Sequence, residues 1–147
     1  MTEGKLFKNP CTTMDVIVVK NNKVLLIERK HDPYEGMWAL PGGFIDTDKE
    51  NLEHGAAREL EEETGLKARE EDLELLIVTS NPGRDPRGHI ISHTYIAKET
   101  RGKVKAGDDA AKAKYWPLND LPALAFDHGY VMGKYFEWRK KNERIQK

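Results

Sequence analysis

The chain has 147 residues, of which 38% are hydrophobic, so it can build one core and we expect a single domain over residues 1–147. Its 24 Lys and Arg against 25 Asp and Glu give a net charge of −1, which excludes long-range attraction to nucleic acid or to an anionic membrane. The single cysteine, Cys11, excludes an internal disulfide and a cysteine-based zinc site. The amino terminus lacks a signal peptide and no apolar run is long enough to span a bilayer, so the expected location is the cytoplasm.

The first segments of the chain predict a β-hairpin. Residues 12–20 and 23–30 are rich in β-branched and aliphatic side chains, as strands are. Between them lies Asn21-Asn22, which suits a tight turn because Asn tolerates positive φ. Further short extended stretches are expected on either side of Pro41-Gly42-Gly43.

A helix is predicted from the N-cap Asn51 to Thr64. Leu52, Ala56 and Leu60 recur every four residues, which places them on one face, and Gly65 is the expected stop.

The second half of the chain predicts more strands and a closing helix. Strands are expected over residues 73–80, 89–98 and 113–118, and a helix from Asp127 to about Ile145. The order of strands, helix, strands, helix predicts an α+β or mixed-sheet sandwich with helices on the faces of the sheet.

Three carboxylates of the first helix point the same way. At 3.6 residues per turn Glu59, Glu62 and Glu63 share a face, whereas Glu61 points elsewhere. Such a cluster suits a divalent cation with hard oxygen ligands such as Mg²⁺, and Arg58 can hold one carboxylate by a bidentate hydrogen bond.

The segment from Gly43 to Leu66, GFIDTDKENLEHGAARELEEETGL, resembles the Nudix box, whose usual form is G-x5-E-x7-R-E-U-x-E-E-x-G-U with U aliphatic. Every fixed position from Glu50 onward matches. One residue more than usual separates Gly43 from Glu50, in the loop before the helix. The order of elements over residues 12–140 is compatible with the whole Nudix fold, an α/β/α sandwich with a mixed β-sheet and a carboxyl-terminal helix.

This resemblance implies an enzyme and its cofactor. It implies that Glu59, Glu62 and Glu63 hold Mg²⁺ or Mn²⁺, that Arg58 orients Glu59, and that the Gly42 carbonyl is a candidate further ligand. The implied reaction is hydrolysis of a nucleoside diphosphate linked to another group.

The segment after the box resembles the ADP-ribose pyrophosphatase branch of the family. Pro82 stands sixteen residues after Leu66, where that branch usually has proline, and RDPRGH at 84–89 is also similar to it. Arg84 and Arg87 are therefore candidates for gripping phosphate or the terminal ribose, since guanidinium groups match oxyanions. The alternative is that both arginines only fix a turn.

Other substrate and catalytic residues are left open between two interpretations. Tyr34 and Trp38 could stack on adenine or belong to the core. Many family members have a further catalytic carboxylate outside the box, for which Asp109, with its neighbour Asp108, is the candidate here; the alternative is a pair of solvated loop aspartates.

The expected function is thus hydrolysis of ADP-ribose to AMP and ribose 5-phosphate. The alternatives are a Nudix hydrolase for another nucleotide, such as NADH, a sugar nucleotide or an oxidised nucleoside triphosphate, and a catalytically silent nucleotide-sensing module. The expected partners are a small-molecule nucleotide, with neither nucleic acid nor membrane, and a second copy of the chain in a homodimer.

Overall fold

Two four-stranded sheets and two helices form the computed structural model, which describes residues 7–105 and 110–145. The strands are β1 (Cys11–Ile17), β2 (Val19–Lys20), β3 (Lys23–Arg29), β4 (Trp38–Ala39), β5 (Gly42–Phe44), β6 (Leu73–Thr79), β7 (Ile90–Ala97) and β8 (Ala110–Pro117). The helices are α1 (Leu52–Thr64) and α2 (His128–Ile145), with a short 3₁₀ turn at Glu70–Asp72 that the sequence did not predict.

The first sheet is mixed, as predicted, and the second is antiparallel. In the first sheet the order is β5-β1-β7-β6, with β1 parallel to β7 and the other pairs antiparallel. In the second, β3 pairs with β2, β4 and β8. The predicted single strand over 12–20 is wrong in this respect, because the chain leaves the first sheet after Ile17 and enters the second at Val19.

The hairpin turn forms where the sequence predicts it. Asn21 and Asn22 have φ angles of 53° and 59°, the left-handed pair that a two-residue type I′ turn requires. Val19 pairs with Val24 and Lys20 with Lys23 on either side of the turn.

Both ends of α1 are capped as expected. The Asn51 side chain accepts a hydrogen bond from the His54 N–H at 2.8 Å. At the other end Gly65 adopts φ 80°, and its N–H donates to the Glu61 carbonyl. These caps fix the register of the helix, and so the direction of its glutamates.

The two helices bury their apolar faces in different parts of the core. Alternate residues of β1 point to opposite sides of the first sheet, and those of β3 to opposite sides of the second, because the side-chain period of a strand is two. One cluster joins α1 to these strands through Ala56, Leu60, Met14, Val16 and Leu25. The other joins α2 to them through Val131, Met132, Tyr135, Ile17, Val24 and Leu26.

Within the described ranges, neither helix is long and apolar enough to cross a membrane.

Candidate active site

A cavity of about 370 Å³ opens between β1, the end of β3, the carboxyl-terminal half of α1 and the start of α2. The strand β5 and the loops over residues 30–32 and 80–89 complete its wall. Its polar lining has acidic and basic groups, which are Asp15, Asp32, Glu59, Glu63, Asp85, Arg29, Lys30, Arg84, Arg87, His31 and His128.

The acidic end of the cavity is built by α1 packing on β5. Glu63 is 8% exposed, and its Oε2 accepts a hydrogen bond from the Gly42 N–H at 2.9 Å. A Cβ on Gly43 would fall 2.5 Å from the Glu59 Cδ, so a larger residue at this position would displace the carboxylate from where it now stands. The contact that Gly42 makes with the cluster is thus through its N–H, whereas the sequence analysis proposed its carbonyl as a ligand.

Arg58 holds three carboxylates at once. Its Nε and Nη2 donate to the two oxygens of Glu50 at 2.8 and 2.7 Å, and its Nη1 donates to Glu59 at 2.9 Å and to Glu62 at 3.1 Å. The hydrogen bonds from Arg58 lower the pKa of the Glu50 carboxyl to about 2, and the bond to Glu50 is the main cause that raises the pKa of Arg58. Arg58 therefore positions Glu59, as the sequence suggests, but its tightest partner is Glu50.

The chemistry of this cluster fits a divalent cation. Three carboxylates, those of Glu50, Glu59 and Glu62, surround a single guanidinium, and Glu63, which lines the cavity with Glu59, adds a fourth. Their hard oxygen atoms are the ligands that Mg²⁺ prefers. As the side chains stand, no three His, Cys, Asp or Glu groups of residues 7–105 and 110–145 converge closely enough to hold a metal. Glu59 and Glu63 face the cavity, whereas the Glu62 side chain is 57% exposed and lies outside its lining. Glu62 would join Glu59 and Glu63 on a bound cation only by turning inward from Arg58.

Arg29 is a cavity residue that the sequence analysis missed. Its Nε donates to the Pro33 carbonyl at 2.7 Å, and its guanidinium lies 4.9 Å from the centre of the Phe126 ring. No carboxylate of the described residues lies within ion-pair distance of it. Burial, and next the charge of Arg87, lower the pKa of Arg29, so an anion in the cavity would relieve an unfavourable environment.

Arg87 both fixes its turn and faces the cavity. Its backbone N–H and its guanidinium donate to the buried carboxylate of Asp85, with distances between 2.9 and 3.1 Å. Its guanidinium also lies 4.9 Å from the Phe44 ring centre and 5.2 Å from that of Phe126. The two roles considered for Arg87, fixing the turn and binding phosphate or ribose, are therefore compatible with each other.

Arg84 lines the cavity but is committed to protein partners. Its Nε and Nη2 donate to the Asp127 carboxylate at 2.8 and 2.7 Å, its Nη1 donates to the Ile90 carbonyl at 3.3 Å, and its side chain is 5% exposed. This geometry favours the structural alternative over the role in gripping substrate.

The two aromatic candidates lie outside the cavity lining. Trp38 packs in the core cluster of α2, with its ring 5.1 Å from that of Trp116, so the core interpretation accounts for it. Tyr34 is 36% exposed and packs edge-on against Phe126 at 4.8 Å. Phe126, beside Arg29, and Phe44 are the aromatic residues that line the cavity, and the sequence analysis singled out neither.

The proposed outer carboxylates cannot be compared with this geometry. Asp108 and Asp109 lie outside the described residues.

The cavity residues that were missed leave only weak signals in the sequence. Asp15 is a charged residue within the apolar stretch TTMDVIVV, and such a position indicates a buried polar group, which is rare and often functional. Arg29 ends a strand, and Phe126 and His128 flank the start of a helix, positions that any surface residue could occupy. Their convergence depends on β1, β3 and α2 meeting in space.

The sequence and the fold were compared with known proteins. The NUDIX domain model matches residues 10–138. The ADP-ribose pyrophosphatase of Methanocaldococcus jannaschii is 46% identical over 135 residues, which cover 92% of this chain and 78% of that protein. The ADPR responsive transcriptional repressor NtrR of Acinetobacter baylyi is 35% identical over 138 residues, covering 88% of this chain and 54% of the repressor.

A solved structure supports the same grouping. The NUDIX domain of Shewanella oneidensis NrtR, in a cocrystal with ADP ribose, has a TM-score of 0.81 and 33% identity, with 92% of both chains covered. These findings confirm the predicted fold class and the predicted family.

Proposed function

The chain belongs to the Nudix family, and from that premise we propose that it is a divalent-metal-dependent pyrophosphohydrolase that converts ADP-ribose and water to AMP and ribose 5-phosphate. The observation that carries this proposal is the distribution of charge in the cavity. Glu59 and Glu63 line one part of it, and Arg29 and Arg87 line another without filling it. A diphosphate needs both, because a cation on the carboxylates and the two guanidinium groups together neutralise its charge.

Each group of the acidic end has a proposed role. Glu59, Glu62 and Glu63 would hold Mg²⁺ or Mn²⁺, which supplies charge neutralisation of the diphosphate and a lowered pKa for a bound water. Arg58 keeps Glu59 in position, and the Gly42 N–H does the same for Glu63. Asp109 stays a proposal for a further catalytic carboxylate.

At the basic end Arg29 and Arg87 would bind phosphate oxygens. Both guanidinium groups make cation–π contacts with the Phe126 ring, at 4.9 and 5.2 Å from its centre. A bound anion would reduce their mutual repulsion. Tyr34 supports Phe126 from the side, and Arg84 supports the loop that carries Arg87.

A catalytically silent sensing domain is the second candidate, because one relative is an ADPR responsive repressor. The complete set of box carboxylates speaks against it. A domain that only binds ADP-ribose gains nothing from three excess negative charges beside a diphosphate, since without a metal they repel it.

Hydrolysis with Mg²⁺ tests the proposal. ADP-ribose, ADP, NADH, a sugar nucleotide and an oxidised nucleoside triphosphate are supplied in turn, and AMP release is measured. We expect the highest kcat/KM for ADP-ribose, and a loss of about 100-fold or more for Glu63→Gln. Glu61→Gln is the matched control, since Glu61 is exposed and outside the cavity lining. Binding of ADP-ribose with no AMP release would instead identify a sensor, and preference for another nucleotide would overturn the substrate assignment.

We also propose a single domain over residues 1–147 and a cytoplasmic location, on the sequence arguments given above, and a homodimer as the assembly.

A further inference from the structure

Asp15, Ser92 and His128 form a buried polar group in the wall of the cavity. Asp15 lies on β1 and is 8% exposed, and the Ser92 Oγ donates to its Oδ2 at 2.5 Å from the neighbouring strand β7. A carboxylate can accept about four hydrogen bonds, and Ser92 is the one donor to Asp15 among the residues that the structure describes. Asp15 therefore keeps acceptor capacity, and it faces the cavity.

The tautomer of His128 follows from its other contact. The Leu40 N–H donates to the His128 Nδ1 at 3.0 Å, so Nδ1 must carry a lone pair and the ring proton must lie on Nε2. The Nε2 atom is 3.7 Å from the Asp15 Oδ2, beyond the length of a direct hydrogen bond. A donor and an acceptor thus face each other across a gap that neither closes.

One polar atom placed beside this gap can bridge it. An oxygen about 2.8 Å from each of the two atoms, which are 3.7 Å apart, lies to one side of the line between them, where it can make both hydrogen bonds. A hydroxyl matches, because it is a donor and an acceptor at the same atom, whereas a phosphate oxygen has no proton to give to Asp15. His128 and Asp15 are 4% and 8% exposed and both line the cavity, so a hydroxyl that enters there meets the donor and the acceptor together.

We propose that Asp15 and His128 bind a ribose hydroxyl of the substrate, with the hydroxyl donating to Asp15 and accepting from the His128 Nε2–H. The inference rests on the proposed function for the presence of a ribose in the cavity. Asp15 and Glu63 line the same cavity, so the hydroxyl would anchor a ribose beside the diphosphate. Leaving out that hydroxyl would leave a buried donor and acceptor unpaired, which makes this pair a specificity determinant.

The test combines variants with substrate analogues. Asp15→Asn removes the negative charge and replaces one of the two acceptor oxygens by an amide donor, and His128→Asn keeps an acceptor for the Leu40 N–H but removes the Nε2 donor. Ser92→Ala is the comparison variant: Ser92 is 1% exposed, does not line the cavity and donates to the same Asp15 Oδ2 that faces His128, so its loss removes a support of Asp15 and leaves the carboxylate itself in place. The ligands are ADP-ribose, analogues that each lack one ribose hydroxyl, and the analogue with hypoxanthine in place of adenine.

With the wild-type protein, we expect one of the deoxy analogues to lose roughly 10- to 100-fold in kcat/KM. Asp15→Asn and His128→Asn should lose a similar factor with ADP-ribose and nothing further with that analogue. Ser92→Ala should lower the melting temperature and retain more of the discrimination between ADP-ribose and that analogue than Asp15→Asn or His128→Asn does. If the three residues were purely structural, discrimination would not depend on which of them is changed.

Two results would overturn the inference. In the first, the wild-type protein loses kcat/KM with every deoxy analogue and Asp15→Asn shows the same losses. In the second, the loss in kcat/KM is confined to the hypoxanthine analogue and disappears in Asp15→Asn, which would assign Asp15 and His128 to binding the base. If the wild-type protein releases no AMP, the proposed function fails by itself. The dissociation constants of the same variants for the same ligands are then measured by titration calorimetry, and the same two outcomes, seen in binding, would overturn the inference.

Discussion

The Arg84 guanidinium and the Asp127 carboxylate form a two-pronged ion pair, with distances of 2.8 and 2.7 Å, that joins the loop over residues 80–89 to the start of α2. Burial alone would raise the pKa of the Asp127 carboxyl, but the hydrogen bonds and charge of Arg84 outweigh it and hold the pKa below its ordinary value. The pair therefore fixes two walls of the cavity relative to each other.

From this pair we predict that Arg84→Ala chiefly destabilises the protein. Removing one partner leaves the Asp127 charge uncompensated, which costs about 3 kcal/mol for a buried pair and lowers the melting temperature by roughly 6 to 12 °C. The loss in kcat/KM should be similar for ADP-ribose and ADP. Thermal melting measures the loss of stability, and kinetics with both substrates measure the loss in kcat/KM. In the control, Arg84→Ala with Asp127→Asn should recover part of the stability, because both charges are then removed. A loss confined to ADP-ribose, with unchanged melting, would return Arg84 to the substrate-binding groups.

Arg29 should behave in the opposite way. Since no described carboxylate pairs with it and burial lowers its pKa, Arg29→Ala removes a charge that the folded protein does not favour. We predict little change in melting temperature and a loss of about 10- to 100-fold in kcat/KM for ADP-ribose and ADP alike, because both carry the diphosphate. Arg29→Lys keeps the charge without the planar fork and should fall between the two. Destabilisation with near-normal kinetics would show that Arg29 serves the fold alone.

Much of the fold could be predicted because its signals are local. Asn21-Asn22, the Asn51 cap and Gly65 act through their own backbone, so turn and helix ends appear where the sequence indicates them. The break between β1 and β2 could not be predicted in the same way. Both sides of Val18 are apolar, and which sheet each strand joins depends on partners far along the chain.

The candidate site shows the same difference between local signals and contacts made by distant parts of the chain. Glu59 and Glu63 could be predicted because one helix register sets both. Arg29, Asp15 and His128 could not, since each lies on a different element and they meet only after the sheets and α2 pack. The sequence leaves Arg84 undecided for a related reason: its partner Asp127 is 43 residues away.

The pair of Glu50 and Arg58 predicts a dependence of stability on pH. The pKa of Glu50 is about 2 in the folded protein against an ordinary value of 4.5, so the pair stabilises the fold fully above about pH 4.5, and the contribution disappears as the pH falls towards 2. Glu50→Gln should therefore lower the free energy of unfolding by about 1.5 to 3 kcal/mol at neutral pH, and this difference should shrink in that acid range. Urea unfolding of both proteins across the range measures it. A difference that is constant with pH would mean that Glu50 acts through packing and not through its charge.

The acidic cluster predicts that Mg²⁺ stabilises the folded protein. An ion that binds only the folded state at about 100 times its dissociation constant adds about 2.7 kcal/mol, or roughly 5 to 11 °C in melting temperature. Glu62→Gln and Glu63→Gln should reduce this shift, whereas Glu61→Gln, an exposed neighbour, should keep it.

In the presence of a chelator Glu62→Gln should change stability by less than about 1 kcal/mol, because its side chain is 57% exposed and its contact with Arg58 is a surface ion pair. Glu63→Gln without metal is expected to cost more than the repulsion it removes, because Glu63 is buried and accepts the Gly42 N–H. Melting curves with Mg²⁺, with Mn²⁺ and with chelator separate these effects, and identical curves in all three would count against a metal site at α1.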